Sequence, residues 1–144
     1  MMRVTRWNLV DEPHARPKTT PELFQNYGIG YAYKGKLAKR VVIPIRNALG
    51  SIVGFSGRYI YYEKGCRFPK WLHWPATNKD FTRKGFRKDH NFFNFDRVLN
   101  HVHEHKDRSV ILVEGPFDVL KMEMAGIHNS MAVLGDDIGN GQIS

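Results

Sequence analysis

Residues 109–135 read SVILVEGPFDVLKMEMAGIHNSMAVLG, and this stretch decides the fold of the C-terminal part of the chain. Residues 109–113 are a short, continuous apolar run, which is typical of a strand buried on both faces. Pro116 suits the first turn of the helix that follows, and Gly126 suits its stop. A second apolar run covers residues 130–134. The pattern predicts a βαβ unit with two parallel strands and a right-handed crossover.

Two carboxylates flank the turn between the first predicted strand and the helix. Glu114 follows the strand directly, and Asp118 lies in the first helical turn, so both side chains can project to one side. Ligands collect at the carboxyl ends of strands in open α/β sheets, and carboxylate oxygens suit magnesium. The alternative is that Asp118 only complements the helix dipole and Glu114 ends a strand in solvent.

Upstream, residues 40–60 (RVVIPIRNALGSIVGFSGRYI) predict a β-hairpin. Two β-rich runs, 41–45 and 52–55, flank a turn at residues 47–50. Pro44 inside the first run predicts an edge strand or a bulge.

Two helices are predicted on either side of this hairpin. Residues 19–22 fit a capping box for a short helix that ends at Gly28 and Gly30. The second helix covers residues 94–106, and its apolar side chains share one face. These are Phe95, Val98, Leu99 and Val102.

The composition narrows the class of protein. A formal net charge of +8 over 144 residues indicates a polyanionic partner, with nucleic acid the first candidate. A single cysteine excludes disulfide frameworks and cysteine-based zinc sites within the chain, so no zinc is expected. Neither a signal peptide nor an apolar stretch of membrane-spanning length is present, which predicts a cytoplasmic protein without membrane association.

Four ordered motifs over about residues 19–144 resemble those of bacterial and phage DnaG-type DNA primases. VILVEGPFDVLKMEMAGIHNSMAVLG resembles the first TOPRIM motif, in which a strand ends in Glu-Gly and an Asp follows on the next helix. RVVIPIRNALGSIVGFSGR resembles the primase strand with Pro-Ile, a Gly turn and a closing Gly-Arg. FPKWLHWPATNKDFTRKGFR resembles the stretch with Pro-Lys-aromatic-Leu before a Lys-Gly, and ELFQNYGIGYAYKG matches the lead-in.

The resemblance implies a fold that combines α+β and α/β parts. We expect an irregular lead-in over residues 1–18 and a basic N-terminal lobe of the primase catalytic core over residues 19–106, with a small mixed β-hairpin. A partial Rossmann-like TOPRIM βαβ unit follows over residues 107–144, with its C-terminal half missing. The family's Asp-x-Asp pair belongs to the next strand, so Asp136 and Asp137 are weak candidates for a second metal motif.

The resemblance also implies an activity: nucleotidyl transfer that makes short RNA primers on a single-stranded DNA template with Mg²⁺ or Mn²⁺. Glu114 and Asp118 would be catalytic residues and tentative metal ligands. Basic side chains would hold template, primer or incoming nucleotide, although each could equally be a solvated surface group. They are Arg40, Arg46, Arg58, Lys70 and Lys84.

The partners implied are single-stranded DNA, ribonucleoside triphosphates, a replicative helicase and a second chain that supplies the rest of the TOPRIM domain. The chain alone is expected to be catalytically incomplete, because two-metal catalysis needs acidic ligands on more than one strand. Two other functions remain open. One is a catalytically silent module that binds single-stranded nucleic acid, and the other is a TOPRIM nuclease-like protein.

Two further patterns each have two interpretations. His101 and His105 have a spacing that can chelate a metal on a helix, or they end a solvated helix. A run of aromatic residues alternating with lysines can stack single-stranded bases or form the small core of a loop-rich lobe. It contains Trp71, Trp74, Phe81 and Phe86 with Lys70, Lys79 and Lys84.

Overall fold

The structure is a computed structural model that describes residues 4–6, 21–75, 87, 90–106 and 108–135. The chain divides into two compact units, which we call the first unit (1–44 and 54–86) and the second unit (45–53 and 87–144). In chain order the described elements are β1 (Val4–Arg6), α1 (Pro21–Tyr27), β2 (Gly30–Ala32), β3 (Arg40–Arg46), β4 (Ile52–Tyr59), β5 (Trp71–Trp74), α2 (Phe95–Glu104), β6 (Ile111–Val113), α3 (Pro116–Met124) and β7 (Ser130–Ala132).

Within the described residues, β1 to β5 form one sheet in sequence order. β1 runs antiparallel to β2 with Thr5 opposite Tyr31, and β2 runs antiparallel to β3 with Tyr31 opposite Val41. The sequence predicts an irregular lead-in where β1 lies. A strand forms there because main-chain pairing with β2 supplies the hydrogen bonds, which requires no apolar pattern in β1 itself.

The predicted hairpin is confirmed by β3 and β4. Its turn is held by Asn47, whose Oδ1 accepts hydrogen bonds from the N–H groups of Leu49 and Ser51, both at 3.0 Å. Pro44 lies in β3, which is flanked by β2 and β4. The pairing with β2 runs only as far as Val42, so the missing N–H of Pro44 interrupts no bond to that strand.

The core of the first unit is built from α1 and the sheet. Phe24 and Tyr27 are the buried residues of α1, which ends where Gly28 takes a φ of 70°. Leu37 and Ile43 are fully buried. The bounds of α1 and the positive φ of Gly28 confirm the predicted helix and its glycine stop.

The second unit contains the predicted βαβ arrangement. β6 and β7 pair in parallel with Leu112 opposite Met131, and α3 lies between them in the chain. After α3, Gly126 has a φ of 83° and the Ile127 N–H donates to the carbonyl of Met122 at 2.9 Å, which closes the helix. The mixed architecture predicted from the sequence is thus confirmed.

The burial predicted for the first of these strands is wrong. Leu112 of β6 is 47% exposed, whereas the sequence predicts a strand buried on both faces. Successive side chains of a strand point to opposite faces, so Leu112 faces away from Ile111 and Val113, which are half-buried. An apolar run alone does not show whether each face is covered.

α2 confirms the predicted helix and its apolar face, on which Val98 is buried. Asn94 precedes it with a φ of 74°, and its Nδ2 donates to the carbonyl of Ser130 at 2.9 Å. In the described part of the chain, no helix is long and apolar enough to span a membrane.

Candidate functional site

Glu114 and Asp118 occupy the turn from β6 into α3. Glu114 is exposed directly after β6. Asp118 closes the first turn of α3: its Oδ2 accepts from the Gly115 N–H at 3.2 Å, and its own N–H donates to the Gly115 carbonyl at 3.0 Å. Its Oδ1 lies 3.5 Å from Nζ of Lys121. Asp118 therefore caps the helix, while Glu114 projects at the strand end.

These two carboxylates suit a hard cation but do not complete a site by themselves. Across the described ranges, no group of three or more His, Cys, Asp or Glu side chains is placed to hold a metal ion. Asp136 and Asp137 lie outside the described residues. The metal-ligand roles of Glu114 and Asp118 therefore stay predictions.

Arg40 is the most buried of the predicted basic site residues that the structure describes, with 3% of its surface exposed. Its Nη1 donates to the carbonyls of Pro69 at 2.9 Å, Gly57 at 3.2 Å and Lys70 at 3.4 Å. Desolvation by burial lowers the pKa of this guanidinium, although arginine stays charged at neutral pH. Arg40 thus fixes the main chain that carries Lys70, which is itself exposed.

Arg58 lies in the same unit, on β4. It is directly opposite Trp71 in the β4–β5 pair, and its guanidinium carbon is 5.8 Å from the centre of the Trp71 ring. On the same strands, Ser56 and His73 are also paired, with 2.7 Å between Oγ and Nδ1. This face of the sheet carries a cation over an aromatic ring next to a half-buried polar pair.

The predicted basic residues are divided between the two units. Arg40, Arg58 and Lys70 belong to the first unit, where Arg40 contacts the main chain of Lys70 and Arg58 lies opposite Trp71. Arg46 belongs to the second unit and stabilises the turn between β3 and β4, because its Nη1 donates to the Gly50 carbonyl at 2.9 Å. Lys84 lies outside the described residues.

The two tryptophans of β5 lie in different environments. Trp74 packs with Leu72 and Phe55 against a buried cluster of Ala32, Leu37 and Val42, as the core interpretation predicts. Trp71 instead lies on the other face, under Arg58. Phe81, Phe86 and Lys79 are outside the described residues.

Sequence reasoning missed the exposed rings of the β4–β5 connection. Tyr61, Tyr62 and Phe68 are each at least one-third exposed. The signal in the sequence is a set of aromatic residues interspersed with Arg58, Lys64 and Arg67.

The histidine pattern takes the second of its two predicted arrangements, at the end of α2. α2 ends at Glu104, and His105 stacks on His101 with ring centres 4.0 Å apart. His128 pairs through Nδ1 with Oε2 of Glu123 at 2.7 Å. The stacked pair ends the helix, as the second interpretation of this motif describes.

Comparison with known proteins finds matches to primase sequences and to the Toprim domain. Residues 31–99 match the family model of the DNA primase catalytic core, N-terminal domain, and residues 108–144 match that of the Toprim domain. The DNA primase of Aquifex aeolicus is 34% identical over 110 residues, which are 76% of this chain and 20% of that protein. The DNA primase of Enterococcus faecalis is 32% identical over 107 residues, 73% of this chain and 16% of that protein. The chain spans a fifth or less of the length of these relatives.

Solved structures show the same fold. The zinc-binding and RNA polymerase domains of the Aquifex aeolicus primase match with a TM-score of 0.70 and 26% identity, over 86% of this chain and 36% of that chain. The E. coli primase catalytic core matches with a TM-score of 0.66 and 19% identity, over 88% of this chain and 47% of that chain.

Proposed function

This chain belongs to the DNA primase family, and on that premise we propose that it acts in template-directed synthesis of short RNA primers on single-stranded DNA. One observation carries the proposal. Glu114 stands exposed at the carboxyl end of β6, beside the N-terminus of α3, inside the segment that matches the Toprim domain. A carboxylate at this edge is suited to bind a divalent cation or to move a proton.

The cation we propose is Mg²⁺, with Mn²⁺ as a substitute. Glu114 and Asp118 would supply part of its oxygen ligands, and further acidic ligands would come from outside the described residues or from another chain. Bound Mg²⁺ supplies positive charge that stabilises phosphate oxygens during nucleotidyl transfer.

The basic side chains of the first unit would hold the nucleic acid. Arg58 pairs across strands with Trp71, the residue after Lys70, and Arg40 fixes the carbonyl groups of Pro69 and Lys70. Fixed cations of this kind hold phosphates and give binding that weakens strongly with salt. Arg46 and Lys84 remain proposed contacts. Ribonucleoside triphosphates are the proposed substrates and a replicative helicase the proposed partner.

The test has two readouts. Binding of a fluorescent single-stranded oligonucleotide should weaken steeply as salt increases. Incorporation of labelled ribonucleotides on single-stranded DNA should require Mg²⁺, with the chain alone or mixed with a primase fragment that carries the Asp-x-Asp strand. Glu114→Gln should abolish incorporation and preserve binding, whereas Glu104→Gln, at an exposed glutamate of α2, should preserve both.

Each alternative function predicts a different result. Binding without incorporation in any mixture would favour a silent nucleic-acid-binding module. Mg²⁺-dependent cleavage of DNA without nucleotides would favour a nuclease. Absence of both binding and incorporation would contradict the proposal.

A further inference from the structure

The connection between β4 and β5 presents three large aromatic side chains to solvent. Tyr61 is 47% exposed, Tyr62 37% and Phe68 46%. We call these three residues the aromatic ledge. Exposed apolar side chains that form a patch mark a surface for interaction more often than scattered ones do.

Neighbouring side chains hold the rings of the ledge in place. The guanidinium carbon of Arg67 is 5.3 Å from the centre of the Phe68 ring, and that of Arg58 is 6.0 Å from the centre of the Tyr62 ring. The ring of Tyr59 contacts two members of the ledge, with centres 5.3 Å from Phe68 and 5.8 Å from Tyr61. Rings already fixed in this way lose little conformational entropy when a flat ligand stacks on them.

The charge around the ledge selects the class of ligand. Residues 58–70 carry four cations, Arg58, Lys64, Arg67 and Lys70, against the single acid Glu63. The surface therefore favours a partner that combines negative charge with flat apolar faces.

We propose that the aromatic ledge binds the bases of single-stranded nucleic acid by stacking, while the flanking cations hold its phosphates. Stacking on aromatic side chains tolerates any base sequence, because every base has a π face. The inference rests on the proposed function and deepens it, since it assigns base contacts to residues that phosphate binding alone does not require.

The decisive comparison uses two ligands with equal charge. Oligo-dT and an abasic oligonucleotide of the same length carry the same phosphates, but only oligo-dT has bases. The wild-type chain should bind oligo-dT about ten- to a hundredfold more tightly. The double variant Tyr62→Leu/Phe68→Leu should lose this preference and bind the abasic strand as the wild type does, with an unchanged salt dependence.

Tyr33→Leu is the matched control. Tyr33 is 66% exposed in the same unit, and its ring packs edge-on against Tyr31 at 4.9 Å. This variant should keep the wild-type preference for oligo-dT.

Cys66 offers a second readout on the unsubstituted chain. It is the only cysteine, and its Sγ donates to the carbonyl of Phe68 at 3.0 Å. Saturating oligo-dT should slow alkylation of this thiol, and saturating abasic strand should slow it less. This measurement stands even if the double variant fails to fold.

The outcomes separate the ledge from the proposed function. Base stacking on the ledge would be overturned, and the proposed function would stand, if binding were tight and salt-sensitive but equal for both strands and Cys66 showed no selective protection. Absence of any binding would overturn both. Self-association of the wild-type chain that is absent from the double variant, with the oligo-dT preference intact in that variant, would assign the rings to a protein contact and overturn base stacking.

Discussion

The side chain of Arg40 lies directly against the main chain of Gly57. A Cβ at position 57 would come within 2.9 Å of Cδ of Arg40 and 3.1 Å of Cδ2 of Leu37. At the same place Nη1 of Arg40 donates to the Gly57 carbonyl at 3.2 Å. Because Gly57 has no side chain, the buried guanidinium of Arg40 can reach the carbonyl groups of Gly57, Pro69 and Lys70.

Gly57→Ala should destabilise the first unit, because the new methyl group would displace Arg40 and Leu37 from a packed core. We expect the free energy of unfolding to fall by about 1–3 kcal/mol. Urea unfolding followed by tryptophan fluorescence measures the change. Ser51→Ala, at an exposed position, should leave it within about 0.5 kcal/mol. Equal stability of Gly57→Ala and wild type would show that this contact is not tight.

Arg40→Met should lower the free energy of unfolding by about 1–3 kcal/mol, because the carbonyls of Gly57 and Pro69 lose a buried donor. The free energy of unfolding of Arg40→Lys should lie between those of Arg40→Met and the wild type, since one ammonium group cannot reproduce the paired donors of the guanidinium group. Urea unfolding of both variants, with the exposed Lys36→Met as control, tests this.

The difference in the free energy of unfolding between Arg40→Met and the wild type should not change between about pH 6 and 9. Because burial lowers the pKa of Arg40, the folded state loses the guanidinium proton at a lower pH than the unfolded state does. The folded state therefore binds fewer protons than the unfolded state only at alkaline pH. There stability would rise with pH as the group titrates through its lowered pKa. A difference that varies near neutrality would show that another group is coupled to Arg40.

Asp118→Ala should destabilise the second unit by about 0.5–2 kcal/mol, because the Gly115 N–H loses its acceptor and the helix loses a negative charge at its N-terminus. Asp118→Asn should cost less, since the amide oxygen can still accept that bond. Urea unfolding gives both values. If Asp118 is also a ligand, the Asn variant should need more Mg²⁺ for nucleotide incorporation despite near-normal stability. An unchanged Mg²⁺ requirement would restrict Asp118 to capping.

Leu120→Ala should lower the free energy of unfolding by about 2–5 kcal/mol, because Leu120 is fully buried and its removal leaves a cavity. Leu112→Ala is the matched control on β6, where the leucine is 47% exposed, and it should cost much less. Urea unfolding of the two variants side by side measures the difference. Similar losses would mean that Leu112 is covered in solution.

The local elements and the family could be predicted from the sequence because their signals lie close together in the chain. The apolar runs around Glu114-Gly115-Pro116 specify strand, turn and helix, and the stop at Gly126 follows from its freedom to take a positive φ. The same local order places an exposed carboxylate at the end of β6.

Only the tertiary structure decided what each charged or aromatic side chain contacts. Arg40 and Arg58 look alike in the sequence, yet one is buried against carbonyls and the other lies over Trp71. Trp71 and Trp74 likewise separate onto opposite faces of β5. These outcomes depend on strand register and on residues distant in the chain, and local propensity contains neither.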